Sequence, residues 1–150
     1  MKHVKKILVP LDLTQNSAKI IPFAVSFSEK LGSPISLLHV VQDLQKWGKL
    51  YVPHMSMNAF QKEALDAAKI LMDQFCEEHL KSIPGIEKIV ISGDPASEIL
   101  HLIDTEDIGL VIMGTHGRKG LEHMVFGSVA RKVTRESRVP VLTIKPNRLR

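Results

Sequence analysis

The chain has 150 residues, 44% of them hydrophobic, and one cysteine, Cys76, which excludes an intrachain disulfide and suits a reducing compartment. A chain of this length buries roughly 68–70% of the surface its unfolded form exposes, so it needs no metal or disulfide to fold, and disordered or coiled-coil readings fit poorly. The formal net charge of +4 is uneven: residues 118–150 carry nine Lys/Arg against two Asp/Glu, residues 1–117 eleven against fourteen.

Val4-Lys5-Lys6-Ile7-Leu8-Val9-Pro10 reads as a first strand, its apolar run continuous as in a sheet covered on both faces. That run is too short for a signal-peptide core or a membrane span, so a cytoplasmic protein is expected. Thr14, Asn16 and Ser17 offer caps for a helix running to about Leu31, with Gly32 as its stop. Pro22 either kinks this helix or marks a late start. Pro34 to Val41 is a second strand. Gln42 to Met57 has no clear period and reads as an excursion loop; Met55 and Met57 are best assigned to loop packing.

A long helix follows from about Asn58 to Lys81, with Phe60, Ala64, Ala67, Ala68, Leu71, Phe75 and His79 on one stripe at 3.6-residue spacing. Pro84-Gly85 breaks the chain, and Ile86 to Ile91 is a third strand. Asp94 is the expected N-cap of the next helix, with Pro95 in its first position. Leu110 to Met113 is a fourth strand, Ser128 to Ser137 a helix, and Pro140 to Ile144 a fifth strand. Alternation of apolar strands with helices predicts an α/β fold: an open, doubly wound, five-stranded parallel sheet, helices on both faces, in a single domain over residues 1–150. The expected strand order is 3-2-1-4-5.

The chemistry concentrates after the fourth strand. Gly114-Thr115-His116-Gly117 follows it directly, and Gly127-Ser128 opens a helix ten residues later, a Gly-x2-Gly-x9-Gly-Ser spacing. Glycines admit close backbone approach, and a helix N-terminus offers unpaired N–H groups and a positive dipole end. Gly127-Ser128-Val129-Ala130 therefore reads either as a phosphate cradle or as a loop end with a capping serine. The pattern is neither a Walker A loop nor the short glycine motif of dinucleotide binders. Ligands of doubly wound sheets bind where strand order reverses, beside the loops after strands one and four. Pro10-Leu11-Asp12 lies in the first of these loops. Asp12 has two roles open to it, accepting from ribose hydroxyls or capping a turn.

These segments resemble the universal stress protein family: Ile7-Leu8-Val9-Pro10-Leu11-Asp12, Leu38-His39-Val40, Gly93-Asp94-Pro95, and Met113-Gly114-Thr115-His116-Gly117 through Gly127-Ser128-Val129. The resemblance runs from about Val4 to Lys145. It implies ATP binding, because in that family the complete glycine pattern goes with bound ATP. It implies that Pro10 and Asp12 border the nucleoside and Val40 the adenine, and that Met113, Gly114, His116 and Gly117 line the loop. Gly127, Ser128 and Val129 would then meet the phosphates. It also implies a homodimer, often formed through the last strand, here Val139 to Ile144. Ala130 departs from the pattern, since many ATP-binding members carry a hydroxyl residue there.

Arg118 and Lys119 lie inside the loop, as phosphate clamps or as solvated charges. Triphosphate usually travels with a divalent cation, Mg²⁺ or Mn²⁺; no protein metal ligands and no catalytic residues are assigned. His39 and His79 read as structural, and His101 and His123 lack partners at metal-ligand spacing. Cys76 reads as packed. The leading expectation is an ATP-binding regulatory or stress-response protein. The alternatives are a slow ATPase or nucleotidyl-transfer enzyme and a nucleotide-free dimeric interaction protein. Nucleic-acid binding rests only on the basic C-terminal quarter.

Overall fold

Strands that are apolar along their whole length need cover on both faces. The computed structural model, which describes residues 3–43, 56–116 and 127–149, supplies it. Strands β1 (Ile7–Pro10), β2 (Ile35–Gln42), β3 (Glu87–Gly93), β4 (Leu110–Gly114) and β5 (Val141–Ile144) form one sheet, in the order β3-β2-β1-β4-β5. Every pairing is parallel. The fold and strand order expected from the sequence are those observed.

Odd-numbered positions of β1 and β2 (Ile7, Val9, Ile35, Leu37) face one core with Ile112 and Ile144. Helices α2 (Ile21–Leu31) and α3 (Met57–His79) cover this side, through Ile21, Ala24, Met72 and Phe75. Even positions (Leu8, Leu38) join Val111 and Met113 on the opposite face. There α4 (Pro95–Thr105) and α5 (Ser128–Glu136) pack through Ala96, Ile99, Ile103, Ala130 and Val133. Leu8, Leu37, Leu38 and Ile112 are fully buried, each contributing about 1.5–3 kcal/mol relative to exposure.

Helix ends follow their local chemistry. Asp94 Oδ2 accepts from the Ser97 amide at 3.0 Å and from the Ser97 hydroxyl at 2.6 Å, with Pro95 in the first turn of α4. Gly32 ends α2 in the left-handed conformation, φ 64°. Pro22 marks a late start: a four-residue helix α1 (Gln15–Ala18) ends, and α2 begins at Ile21 with Pro22 in its first turn.

The stripe expected on the long helix is displaced. Ala68 and Phe75 are buried as expected, but Met72 is the third buried residue, and Leu71 stays 46% exposed. Phe60 and Ile70 are exposed as well. Ala67, Leu71 and Phe75 form a 3.6-spaced line, but so do Leu65, Ala68, Met72 and Phe75. One residue of helix rotates the face by about 100°, and the fit to the sheet selects the second line.

At the amino end of the sheet, Lys6 Nζ reaches Glu87 at 3.3 Å and Glu106 at 3.5 Å, and the Ser36 hydroxyl donates to the same Glu87 oxygen. The Ser36 bond and the Lys6 ammonium together hold the Glu87 carboxyl below its usual range against the opposing effect of burial. A carboxylate with a lowered folded pKa adds stability above its unfolded pKa, and that stability is lost as pH falls through the folded value. Glu87→Gln should therefore melt about 2 °C below the parent at pH 7, a partly exposed pair being worth about 0.5–1 kcal/mol. The gap should close as pH falls through the lowered folded-state pKa and Glu87 takes up its proton. A gap independent of pH in thermal melts would show that the carboxylate charge is not the stabilising feature.

On α3, burial pushes the Cys76 thiol up, with Lys88 opposing it, which agrees with a packed thiol. Among the described residues no helix is long and apolar enough to cross a membrane.

Candidate functional site

The sheet opens at the point where its strand order reverses. β1 and β4 pair only as Ile7↔Leu110 and Leu8↔Val111, whereas β1 follows β2 through Pro10↔Leu38. Beyond Pro10, Leu11 N–H still donates to the Leu38 carbonyl at 2.8 Å. β4 follows β5 through Gly114↔Ile144, and Thr115 N–H then donates to the Ile144 carbonyl at 2.9 Å. Each central strand thus leaves its central neighbour for its outer one. The two central strands part toward their carboxyl ends, where doubly wound sheets place their ligand crevice.

The loop after β1 is tightly organised. Asp12 Oδ1 accepts from the Thr14 amide at 3.0 Å, from the Thr14 hydroxyl at 2.6 Å and from the Ser17 hydroxyl. The Asp12 amide donates to Ser17 Oγ at 3.0 Å. Leu13 adopts φ 61°, a left-handed conformation costing a leucine about 1–3 kcal/mol. Its side chain packs on the core, which holds the turn in place. Thr14 occupies the N-cap position of α1 but makes no side-chain cap; both its hydroxyl and that of Ser17 serve Asp12 instead. The turn-capping role open to Asp12 is realised, and among the described residues it uses Oδ1. His39, nine-tenths buried on β2, donates from Nδ1 to the Leu11 carbonyl at 2.8 Å.

On the other wall, Thr115 is buried, and its hydroxyl shares a 2.7 Å hydrogen bond with His116 Nδ1. The Thr115 carbonyl accepts from the Gly127 amide at 2.6 Å, which ties the start of α5 to the end of β4. Gly127 is the N-cap of α5, with ordinary extended backbone, φ −67°. Glycine is favoured there for space: a Cβ would stand 3.0 Å from the Thr115 carbonyl oxygen, so that backbone would have to shift to admit it. At Gly114 a Cβ would stand 3.0 Å from Ile20 Cδ1, the movable end of a side chain. The first turn of α5 carries no acidic residue, and Ser128, its first helical residue, is exposed. Such an end suits an anion.

Most of the residues singled out from the sequence converge on this crevice. Pro10, Leu11 and Asp12 stand on one wall, Gly114, Thr115 and His116 on the other, and Gly127 to Val129 at the helix start. Val40 and Met113 lie on the α4/α5 face of β2 and β4. Ala130 is buried in that same core, so its methyl packs against the sheet. Gly117, Arg118 and Lys119 lie outside the described residues, as do Glu122 and His123. Ser128 is not the N-cap. Sequence reasoning missed the joint service of Thr14 and Ser17 to Asp12 and the tether from His39. The one available signal was two hydroxyl residues placed two and five positions after an aspartate that follows a strand.

Comparison with known proteins identifies the family. The sequence pattern of the Universal stress protein family matches residues 3–145. Universal stress protein YxiE of Bacillus subtilis is 30% identical over 145 residues, covering 93% of this chain and 98% of its own length. The solved structure of MJ0577 from Methanocaldococcus jannaschii is 27% identical, with TM-score 0.79, covering 96% of this chain and 97% of that one. A universal stress protein from Archaeoglobus fulgidus, solved in complex with dAMP, shares the fold at 20% identity and TM-score 0.68, covering 96% of this chain and all of that one. By sequence pattern, full-length relatives and fold, the chain belongs to the universal stress protein family.

Proposed function

We propose that this protein is a single-domain ATP-binding regulatory or stress-response module. It would hold the nucleotide in the crevice between β1 and β4, with the phosphates at the start of α5. The observation that carries this reading is the parting of β1 from β4 toward an acid-free helix N-terminus that begins with a space-limited glycine. Asp12 Oδ2 would meet the ribose, since all three bonds to its side chain end on Oδ1. Pro10, Leu11 and Val40 would border the nucleoside, Met113 to Gly117 the loop, and Gly127, Ser128, Val129 and the Ala130 amide the phosphates. Arg118 and Lys119 would lie along the tail. The dAMP complex of a family member of the same fold supports an adenine nucleotide.

The chemistry of the donors fits this ligand: backbone amides and a hydroxyl for oxyanions, one carboxylate for a diol. Among the described residues no cluster of three His, Cys, Asp or Glu is placed to hold a metal ion. Mg²⁺ or Mn²⁺ would accordingly arrive on the triphosphate, which is the common mode for Mg²⁺.

β5 is an edge strand, as expected. Its Val141, Leu142 and Thr143 are half-buried, and an open apolar edge invites pairing. The reading therefore includes a closed homodimer formed through Val139 to Ile144, and residence in the cytoplasm.

One preparation tests both parts. Mass analysis of nucleotide released on denaturation should return ATP, or ADP left by slow loss, near one per chain. Sedimentation at tens of micromolar, roughly the range where weak dimers associate, should show a dimer. No released nucleotide and no calorimetric ATP binding at about 1 mM would sink the ATP reading and leave a nucleotide-free interaction protein. A monomer would sink the dimer alone.

A further inference from the structure

We infer that His39 is a positioning residue for the nucleoside half of the site, holding the Asp12 loop in its binding geometry from behind the sheet; this rests on the nucleotide reading above. Leu11 is the last residue before the Asp12 turn, and it is held from both sides. Its N–H donates to the Leu38 carbonyl at 2.8 Å, and its carbonyl accepts from His39 Nδ1 at 2.8 Å. Both tethers come from consecutive residues of β2, the strand that also carries Val40.

The Asp12 turn starts from that anchor. Asp12 takes Thr14 and Ser17 onto Oδ1, and Leu13 must pass through φ 61° between them. A strained turn persists only where its surroundings over-determine it. The His39 ring lies on the α1–α3 side: position 39 continues the line of Ile35 and Leu37, which face that core, whereas Val40 faces the other. His39 therefore acts through Leu11 and Asp12. The phosphate wall has separate anchors, Thr115 to Ile144 and Gly127 to Thr115. Among the described residues the two halves of the site are thus anchored by different bonds, and loss of the Leu11 tether should weaken the nucleoside half.

The test compares three variants of the full chain. In His39→Asn the amide nitrogen hangs from Cγ as Nδ1 does, so the donor stays in place. In His39→Gln it lies one bond further out, and in His39→Leu it is gone. In nucleotide-free protein, amide exchange at Asp12 and Thr14 should quicken about tenfold in the Leu and Gln variants and stay near parent rates in Asn, as expected for one buried hydrogen bond. Exchange at Ile112 should not change. Adenosine and ATP affinity should fall about tenfold or more in Leu and Gln and recover in Asn, while inorganic tripolyphosphate binds all four proteins alike.

Equal adenosine affinity in parent and His39→Gln, or unchanged Asp12 and Thr14 exchange, would overturn the positioning role. If His39→Leu fails to fold, the Gln and Asn pair decides alone. A parent that binds neither adenosine nor ATP would overturn the nucleotide reading and the positioning role with it. Exchange at Asp12 would then still report whether the tether orders the turn.

Discussion

Gly127→Val should abolish ATP binding, with affinity falling by more than about 100-fold, the scale of some 3 kcal/mol. The extra Cβ would stand 3.0 Å from the Thr115 carbonyl oxygen, and its two methyls would widen the conflict. That carbonyl cannot yield cheaply, because it accepts from Gly127 N–H while the Thr115 amide is pinned to Ile144. The start of α5 must move instead, and with it the amides proposed to meet the phosphates. Gly127→Ala has the same close contact without the branching and should lose about tenfold, since a smaller displacement serves. The contact being internal, both variants should also melt below the parent, by several degrees for Val. Calorimetry with ATP and with inorganic tripolyphosphate checks the point. Parent-like ATP affinity in a folded Gly127→Val would place the phosphates elsewhere.

This glycine shows what the sequence can and cannot carry. Its spacing from Gly114 was visible and led to the right helix start. From the sequence alone, its reason is close approach to a ligand. The structure shows a closer neighbour, the Thr115 carbonyl, which only the folded register brings within reach.

The sheet itself was legible because uniformly apolar Leu8-Val9 and Val111-Ile112 admit few other placements than central parallel strands. Asp94-Pro95 and Gly32 were legible because capping is chemistry between near neighbours. The buried line of α3 was not, because Ile70, Leu71 and Met72 are consecutive and apolar, and only the partner surface chooses among them. The Asp12 turn was half legible. Thr14 and Ser17 are hydroxyls suited to helix starts, but that they bond the aspartate instead depends on the left-handed step at Leu13.

The proposed binder should turn ATP over far below once per second. Enzymes commonly reach about 1–10³ per second, and attack of water on ATP at such rates needs a group that positions the water besides charge stabilisation. Helix-start amides and Ser128 would address the charge in the proposed complex. Among the described residues, the carboxylate at the crevice is Asp12, whose Oδ1 already takes three hydrogen bonds that shape its own turn. The imidazole at the crevice, His116, is engaged through Nδ1 with the buried Thr115 hydroxyl, which turns that nitrogen toward the protein. Reorienting either group to hold a water would cost hydrogen bonds worth about 1 kcal/mol each. Phosphate release under single-turnover conditions with Mg²⁺ should therefore extend over minutes or longer, and changing Glu122, the carboxylate that the sequence places between Gly117 and Gly127, to Gln should leave both that rate and ATP affinity unchanged. Release within seconds that disappears in Glu122→Gln, with affinity intact, would make the protein an ATPase with Glu122 orienting the water, and the regulatory-binder reading would fall.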